Sequence, residues 1–91
     1  MELKDLFFAD GKILEYQVQQ SSIVMLFEDP FNTRFRITLT DWEQLADNGS
    51  VGFSLSKGKV THKGDTHQWE CFDDDGLVWQ VRFKSSKVEQ L

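Results

Sequence analysis

The chain has 91 residues, a formal net charge of −5 and an aromatic content of 13%. That length suits a single domain over residues 1–91, and so many aromatic residues exclude a disordered chain. Fifteen acidic against ten basic residues also exclude nucleic acid as an expected partner, because the domain as a whole repels phosphate groups.

The first predicted element, over residues 3–8, is open between a strand and a helix. Apolar residues at helical spacing favour a helix. Asp10-Gly11, however, is a preferred two-residue hairpin turn, and pairing across it would place Phe7 and Leu14 on one face of a sheet. We favour the short strand.

Three antiparallel strands are predicted next. Residues 13–19 alternate, with Leu14, Tyr16 and Val18 on one face, and a turn at Gln20-Ser21 would follow. Residues 22–28, with consecutive apolar residues at 23–27, predict a central strand covered on both faces over at least part of its length. Turn residues at 29–33 lead into the clearest strand signal, residues 34–40, where apolar side chains alternate with Arg and Thr.

One short helix is predicted over about residues 41–47. Thr40 or Asp41 would be the N-cap, and Glu43 or Gln44 three residues later would complete a capping box. Gly49 would end the helix. Such a helix would be barely two turns long and would cap one end or one open edge of the sheet.

The alternation of Val51, Phe53 and Leu55 predicts a further strand, and Lys57-Gly58-Lys59 reads as the turn that follows it. The last hairpin permits a register argument. The apolar side chains of its two strands lie on the same face only if the numbers of each pair of opposed residues add up to an even number. A three-residue loop, 74–76, with Gly76 in a bulge gives such pairs, whereas a two-residue loop does not. That register pairs Cys71 with Trp79 and Trp69 with Val81, and it places Val78 on the outer face.

Together these elements predict a mainly β domain, an antiparallel meander of seven to eight short strands with a barrel-like or sandwich-like shape. An α+β arrangement is the alternative. Eight aromatic residues are expected in the core, with Phe7 added to them: Tyr16, Phe27, Phe35, Trp42, Phe53, Trp69, Trp79 and Phe83. Phe8, Phe31 and Phe72 are left for the surface.

No motif in the chain specifies catalysis or a cofactor. His67 and Cys71 lie about 13 Å apart along a strand, too far for one metal ion, and a mid-strand cysteine among large apolar residues is not activated as a nucleophile. Asp73-Asp74-Asp75-Gly76 matches only part of a calcium loop and is interpreted as an acidic turn. We therefore expect no metal site, no cofactor and no enzymatic activity.

The remaining signal is a surface. Arg34 and Arg36 project from one strand, while Phe72, Val78 and Arg82 project from the last hairpin. Arginine with an exposed aromatic is typical of protein interfaces, although it also occurs on an ordinary solvated sheet face. If both strips lay on one sheet, their cations would converge and favour an acidic partner.

The first functional hypothesis is a non-enzymatic module that binds a protein partner, or itself, through a sheet face or a free edge strand. The second is a small-ligand carrier with a cavity lined by Tyr16, Trp69 and Trp79. A cytoplasmic location with no membrane association is expected, because the N-terminal residues are too polar for a secretion signal and the single cysteine forms no internal disulfide.

Overall fold

Eight strands and one 3₁₀ turn make up the regular structure in the computed structural model, which describes all 91 residues. In chain order they are the turn Leu3–Asp5, β1 (Lys12–Val18), β2 (Ser22–Glu28), β3 (Arg34–Thr40), β4 (Glu43–Asp47), β5 (Lys57–Lys63), β6 (Thr66–Asp73), β7 (Gly76–Phe83) and β8 (Ser85–Gln90). The strands form two antiparallel sheets, β1-β2-β3-β8 and β4-β7-β6-β5. The mainly β class is confirmed, and the sheets pack as a sandwich instead of closing into a barrel.

Two neighbouring connections join the sheets at one corner. The chain passes from β3 to β4 and from β7 to β8 within a few residues, so a β3–β8 pair in one sheet continues as a β4–β7 pair in the other. The Lys84 N–H donates to the Thr40 carbonyl oxygen at 3.1 Å and closes the ladder at the bend. This corner fixes the relative position of the two sheets.

The core lies between the sheets and follows the strand alternation. The first sheet contributes the buried residues of β2 and β3, which are Ile23, Met25, Phe27, Phe35, Ile37 and Leu39, and the second contributes Trp69, Cys71, Trp79, Val81 and Phe83. The alternation predicted for residues 34–40 is therefore confirmed, as is the central position of the 22–28 strand between β1 and β3. Val24 and Leu26, on the outer face of β2, are only half-buried, so that strand is fully covered on one face alone.

The helix predicted over 41–47 is wrong, because this segment forms β4 and pairs with β7. Asp41 and Gln44 have φ angles of 55°, which right-handed helical backbone does not allow. A helix of only two turns forms too few hydrogen bonds to offset the free-energy cost of its nucleation. In extended form, the same segment forms hydrogen bonds with the unpaired N–H and C=O groups on the open side of β7. The structure contains no helix long and apolar enough to cross a membrane.

The strand predicted over 51–55 is also wrong. The segment makes only two isolated bridges, to Lys12 and Ile13, and Gly52 has a φ of +89° that ends regular extension. Leu55 enters the core, but Phe53 is 68% exposed and is not the core residue that its alternation predicts. The following Lys57-Gly58-Lys59 is not a turn but the first half of β5.

The register predicted for the last hairpin is confirmed where it matters for the core, since Cys71 pairs with Trp79 and Trp69 with Val81. The predicted loop is wrong. The turn contains only Asp74 and Asp75, and the extra residue is accommodated by a register shift beyond Cys71. Val78 lies in that irregular part and is turned into the core, with 6% of its surface exposed.

The N-terminal segment, residues 1–11, is neither the predicted strand nor a full helix. After the 3₁₀ turn it has no regular structure up to a turn at Ala9-Asp10, where Asp10 has a φ of 64° and the chain reverses. The roles of two neighbouring aromatic residues are opposite to the prediction, because Phe8 is buried and Phe7 is 62% exposed. In β1, a bulge at Leu14 places Ile13 in the core instead of Leu14.

Phe8 closes the open side of the sandwich. Its ring centroid lies 6.0 Å from that of Phe27 in the first sheet and 5.6 Å from that of Trp69 in the second. The ring also rests against Gly58, where an added Cβ would come within 2.7 Å of it. Glycine is thus required at position 58, near the start of β5, because Phe8 occupies the space that a side chain there would need.

We expect Phe8→Ala to lower the free energy of unfolding by about 3–5 kcal/mol, because it removes a buried ring that contacts both sheets. Phe7→Ala, the neighbouring control, should change that free energy by less than about 0.5 kcal/mol, because its ring is largely in solvent. Urea unfolding followed by tryptophan fluorescence measures both values. Equal effects of the two substitutions would contradict this placement of Phe8.

Candidate functional site

The structure separates the residues predicted to form an interaction surface. Arg34 and Arg36 lie on the outer face of the first sheet, whereas Phe72 and Arg82 lie on the outer face of the second. Val78 is buried and presents no surface. The two strips therefore face opposite directions, and their cations do not converge.

The exposed arginines are also partly neutralised by cross-strand carboxylates. Arg34 Nε lies 3.2 Å from Glu28 Oε2, and Arg82 Nη1 lies 3.8 Å from Glu43 Oε1. Pairs of this exposed kind contribute about 0–1 kcal/mol each to stability. They are what a solvated sheet face ordinarily carries, so neither face by itself indicates a binding site.

The strand β5, at one edge of the second sheet, is the longest edge strand of the sandwich without a bulge. β5 pairs with β6 at seven consecutive positions without a bulge, and no strand pairs with its other side. By comparison, β1 carries a bulge and is bridged at its start by residues 51–54, and β4 is interrupted by a bulge. The remaining edge strand, β8, also has no bulge but pairs with β3 at only six positions. β5 thus presents a straight row of backbone donors and acceptors that a further strand could pair with.

The direction of these backbone groups follows from the β5–β6 turn. Gly64-Asp65 is a two-residue hairpin loop with Gly64 at a φ of +65°, so the flanking pair Lys63 and Thr66 is the hydrogen-bonded kind. Alternation along the strand then points the N–H and C=O groups of Gly58, Val60 and His62 away from β6. These three residues form the pairing edge.

A hollow lies beside this edge, between β5 and the N-terminal segment. It has a volume of about 370 Å³, and half of the residues that line it are hydrophobic. The lining includes the apolar residues Leu6, Phe7, Phe8 and Pro30 and three lysines, Lys4, Lys57 and Lys59. We call this hollow together with the pairing edge the β5 groove.

Two exposed aromatic residues mark the end of the β5 groove. The rings of Phe7 and Phe31 make an edge-to-face contact with centroids 5.5 Å apart, and both side chains are more than 60% exposed. Large apolar side chains that remain in solvent and touch each other form a patch that a partner can cover. Phe31 was predicted to be a surface residue and Phe7 was not.

A pair of histidines lies at the other end of β5. His62 and His67 are directly opposite each other, with ring centroids 4.6 Å apart, and His67 also stacks on Phe83 at 5.5 Å. A second hollow of about 400 Å³ adjoins them and shares Lys4 and Val60 with the first. No group of three or more His, Cys, Asp or Glu side chains is arranged to hold a metal ion.

The three side chains proposed to line a ligand cavity contact one another instead. The rings of Tyr16 and Trp79 are 5.0 Å apart, and those of Trp69 and Trp79 are 5.6 Å apart. Both indoles are fully buried and line none of the three hollows, whereas Tyr16 is partly buried and lines the third. This cluster fills the interior and forms part of the core.

Tyr16 also makes the shortest side-chain hydrogen bond of the sandwich. Its hydroxyl donates to Asp47 Oδ2 at 2.6 Å, and Asp47 Oδ1 accepts the backbone N–H groups of Gly49 and Ser50. Burial, together with the bond and the charge of Asp47, raises the pKa of Tyr16 from 10.0 to about 12. Burial alone would raise the pKa of the Asp47 carboxyl, but the hydrogen bonds it accepts outweigh burial and lower that pKa.

The single cysteine has no access to solvent. Burial raises the pKa of the Cys71 thiol from 9.0 to about 12, so the thiol stays protonated at neutral pH. A protonated and inaccessible thiol is not a nucleophile.

The sequence did not predict the β5 groove, because the pattern assigns the wrong structure to the residues that form it. Lys57-Gly58-Lys59 was interpreted as a turn, and the burial of Phe7 and Phe8 was interchanged. A signal was present in the alternation of residues 57–63, where Lys57, Lys59 and Lys63 share one face, since lysines on one strand face are typical of an exposed edge.

The chain matches no known protein-family model, no curated protein and no solved structure. A function for this chain must therefore be argued from the geometry of its own residues.

The one tyrosine of the chain makes the Tyr16–Asp47 contact directly measurable. Tyrosinate absorbance of the folded protein should titrate with a midpoint at about pH 12, and Asp47→Asn should lower that midpoint because the neighbouring charge is lost, while burial still keeps it above 10.0. Since folding raises this pKa, the neutral Tyr16 side chain contributes stability that is fully present just below pH 10.0 and is lost as the pH rises through about 12. Circular dichroism of the same samples shows that the protein is still folded, and a midpoint near 10 in folded protein would contradict the contact.

Proposed function

We propose that this protein is a non-enzymatic binding module that takes up an extended segment of another protein along the β5 groove. The observation that carries the proposal is the unbulged free edge of β5 with an apolar hollow beside it. An added strand would gain main-chain hydrogen bonds from Gly58, Val60 and His62, and the hollow would receive its side chains. The exposed Phe7–Phe31 pair extends the apolar contact.

Self-association through the same edge is disfavoured by charge. In an antiparallel pair of two β5 strands centred on Val60, Lys57 of each copy would lie opposite Lys63 of the other. Like charges directly opposite each other destabilise a sheet, and this pairing contains two such contacts. The lysines thus favour a different protein as the partner.

A non-catalytic role and a cytoplasmic location are parts of the same proposal. The Tyr16–Asp47 pair is held by backbone N–H groups as a structural contact, and the Cys71 thiol is buried and protonated. One unpaired cysteine is also what a reducing compartment favours.

The proposal is tested by selecting binders from a displayed library of random peptides. Backbone amide exchange, measured by NMR with and without the selected peptides, reports where they bind. We expect new protection of the outward amides of Val60 and His62, because these pair with the added strand. Peptides that protect other regions, or a library that yields no binder, would contradict the proposal.

A matched pair of variants isolates the backbone contribution. Both Val60→Pro and Val60→Ala remove the half-buried Val60 side chain, but only proline removes the outward N–H. We expect Val60→Pro to weaken peptide binding at least about tenfold relative to Val60→Ala, which corresponds to about 1.4 kcal/mol. Equal affinities of the two variants, with both folded by circular dichroism, would show that no strand pairs at this edge.

A further inference from the structure

The two sides of β5 differ in chemistry, and an added strand must match both. Side chains of a strand alternate between faces, so a neighbouring strand also has one row on the outer face of the sheet and one row on the inner side. On β5 the outer row contains Lys57, Lys59 and Lys63, and the inner row contains Gly58, Val60 and His62.

The outer row is cationic and largely unpaired. Lys59 Nζ lies 3.7 Å from Glu70 Oε1, and that lysine side chain is 58% exposed. Lys57 and Lys63 form no ion pair within the chain. Lys57 instead lies over the ring of Phe72, with Nζ 4.9 Å from the centroid, which holds the ammonium group on the outer face. Acidic side chains on the outer row of an added strand would pair with these lysines.

The inner side is apolar. Gly58 lines the hollow together with Phe8, whose ring occupies the space that a side chain at position 58 would need. Phe7 and Pro30 also line it. An apolar side chain on the inner row of an added strand would fill this space and contact the apolar residues that line it.

We infer that the partner segment is an extended stretch of another protein in which acidic and apolar residues alternate. This inference rests on the proposed function and specifies its partner. The acidic residues lie beside the lysines on the outer face, and the apolar residues enter the hollow of the β5 groove. The protein as a whole has a net charge of −5, but Lys4, Lys57 and Lys59 all line this one hollow. The local positive charge therefore attracts an acidic segment.

The test compares three synthetic peptides of about seven residues, the length of β5. One alternates Glu with Val, the second has the same composition with its Glu and Val residues grouped, and the third alternates Lys with Val. Binding is measured by fluorescence anisotropy, and amide exchange locates it. We expect the alternating acidic peptide to protect the Val60 amide and to bind at least about tenfold more tightly than the other two.

Two double variants with equal charge change check the role of the lysines. Lys57→Gln with Lys63→Gln removes two cations at the groove, and Arg36→Gln with Lys87→Gln removes two from the outer face of the first sheet. We expect the first variant to weaken binding of the alternating acidic peptide about tenfold and the second to change it less than about twofold. Equal effects of the two variants would overturn the inference.

The outcomes also separate this inference from the proposed function. If library peptides of other composition protect Val60 while the alternating acidic peptide does not, the partner chemistry is wrong and the binding edge stands. If no peptide of any composition protects Val60, both are wrong.

Discussion

The packing of Phe8 between the two sheets is the contact on which both the fold and the candidate site depend. The sheets meet at one corner through β3, β4, β7 and β8, and on the opposite side the core would be open to water. The N-terminal segment covers that side, with Phe8 against Phe27 and Trp69. The same placement leaves a hollow along β5, so the element that completes the core also forms one wall of the β5 groove.

In our proposal, the edge of β5 resists pairing with a second copy of itself and pairs selectively with an acidic partner strand. Lysines on an edge strand repel a second copy of the same edge, which limits aggregation. They attract an acidic strand by the same electrostatics. A binding edge of this kind needs no catalytic residue and no cofactor, and its specificity comes from the alternation of charge and apolar surface along a single strand.

The sequence predicts the structure correctly where one face of a strand is buried. It predicts the structure incorrectly where pairing with a distant strand determines the conformation. Residues 34–40 and the Cys71–Trp79 register were predictable because a shift by one residue would expose a whole apolar row. Residues 41–47 were misassigned because capping signals act locally, whereas the strand forms through pairing with β7. Phe7 and Phe8 are adjacent and chemically identical, so no local pattern distinguishes the buried ring from the exposed one.

The sequence by itself determined a mainly β domain, its central strands and most of its core, because period-two alternation is a property of neighbouring residues. Only the tertiary structure decided which strands are edges, which side of the sandwich the N-terminal segment covers, and that Arg34 and Arg82 face opposite directions. These features depend on contacts between residues distant in the chain. The lysines of β5 were visible in the sequence as charges, but their role in the lining of a groove depends on Gly58 lying under Phe8.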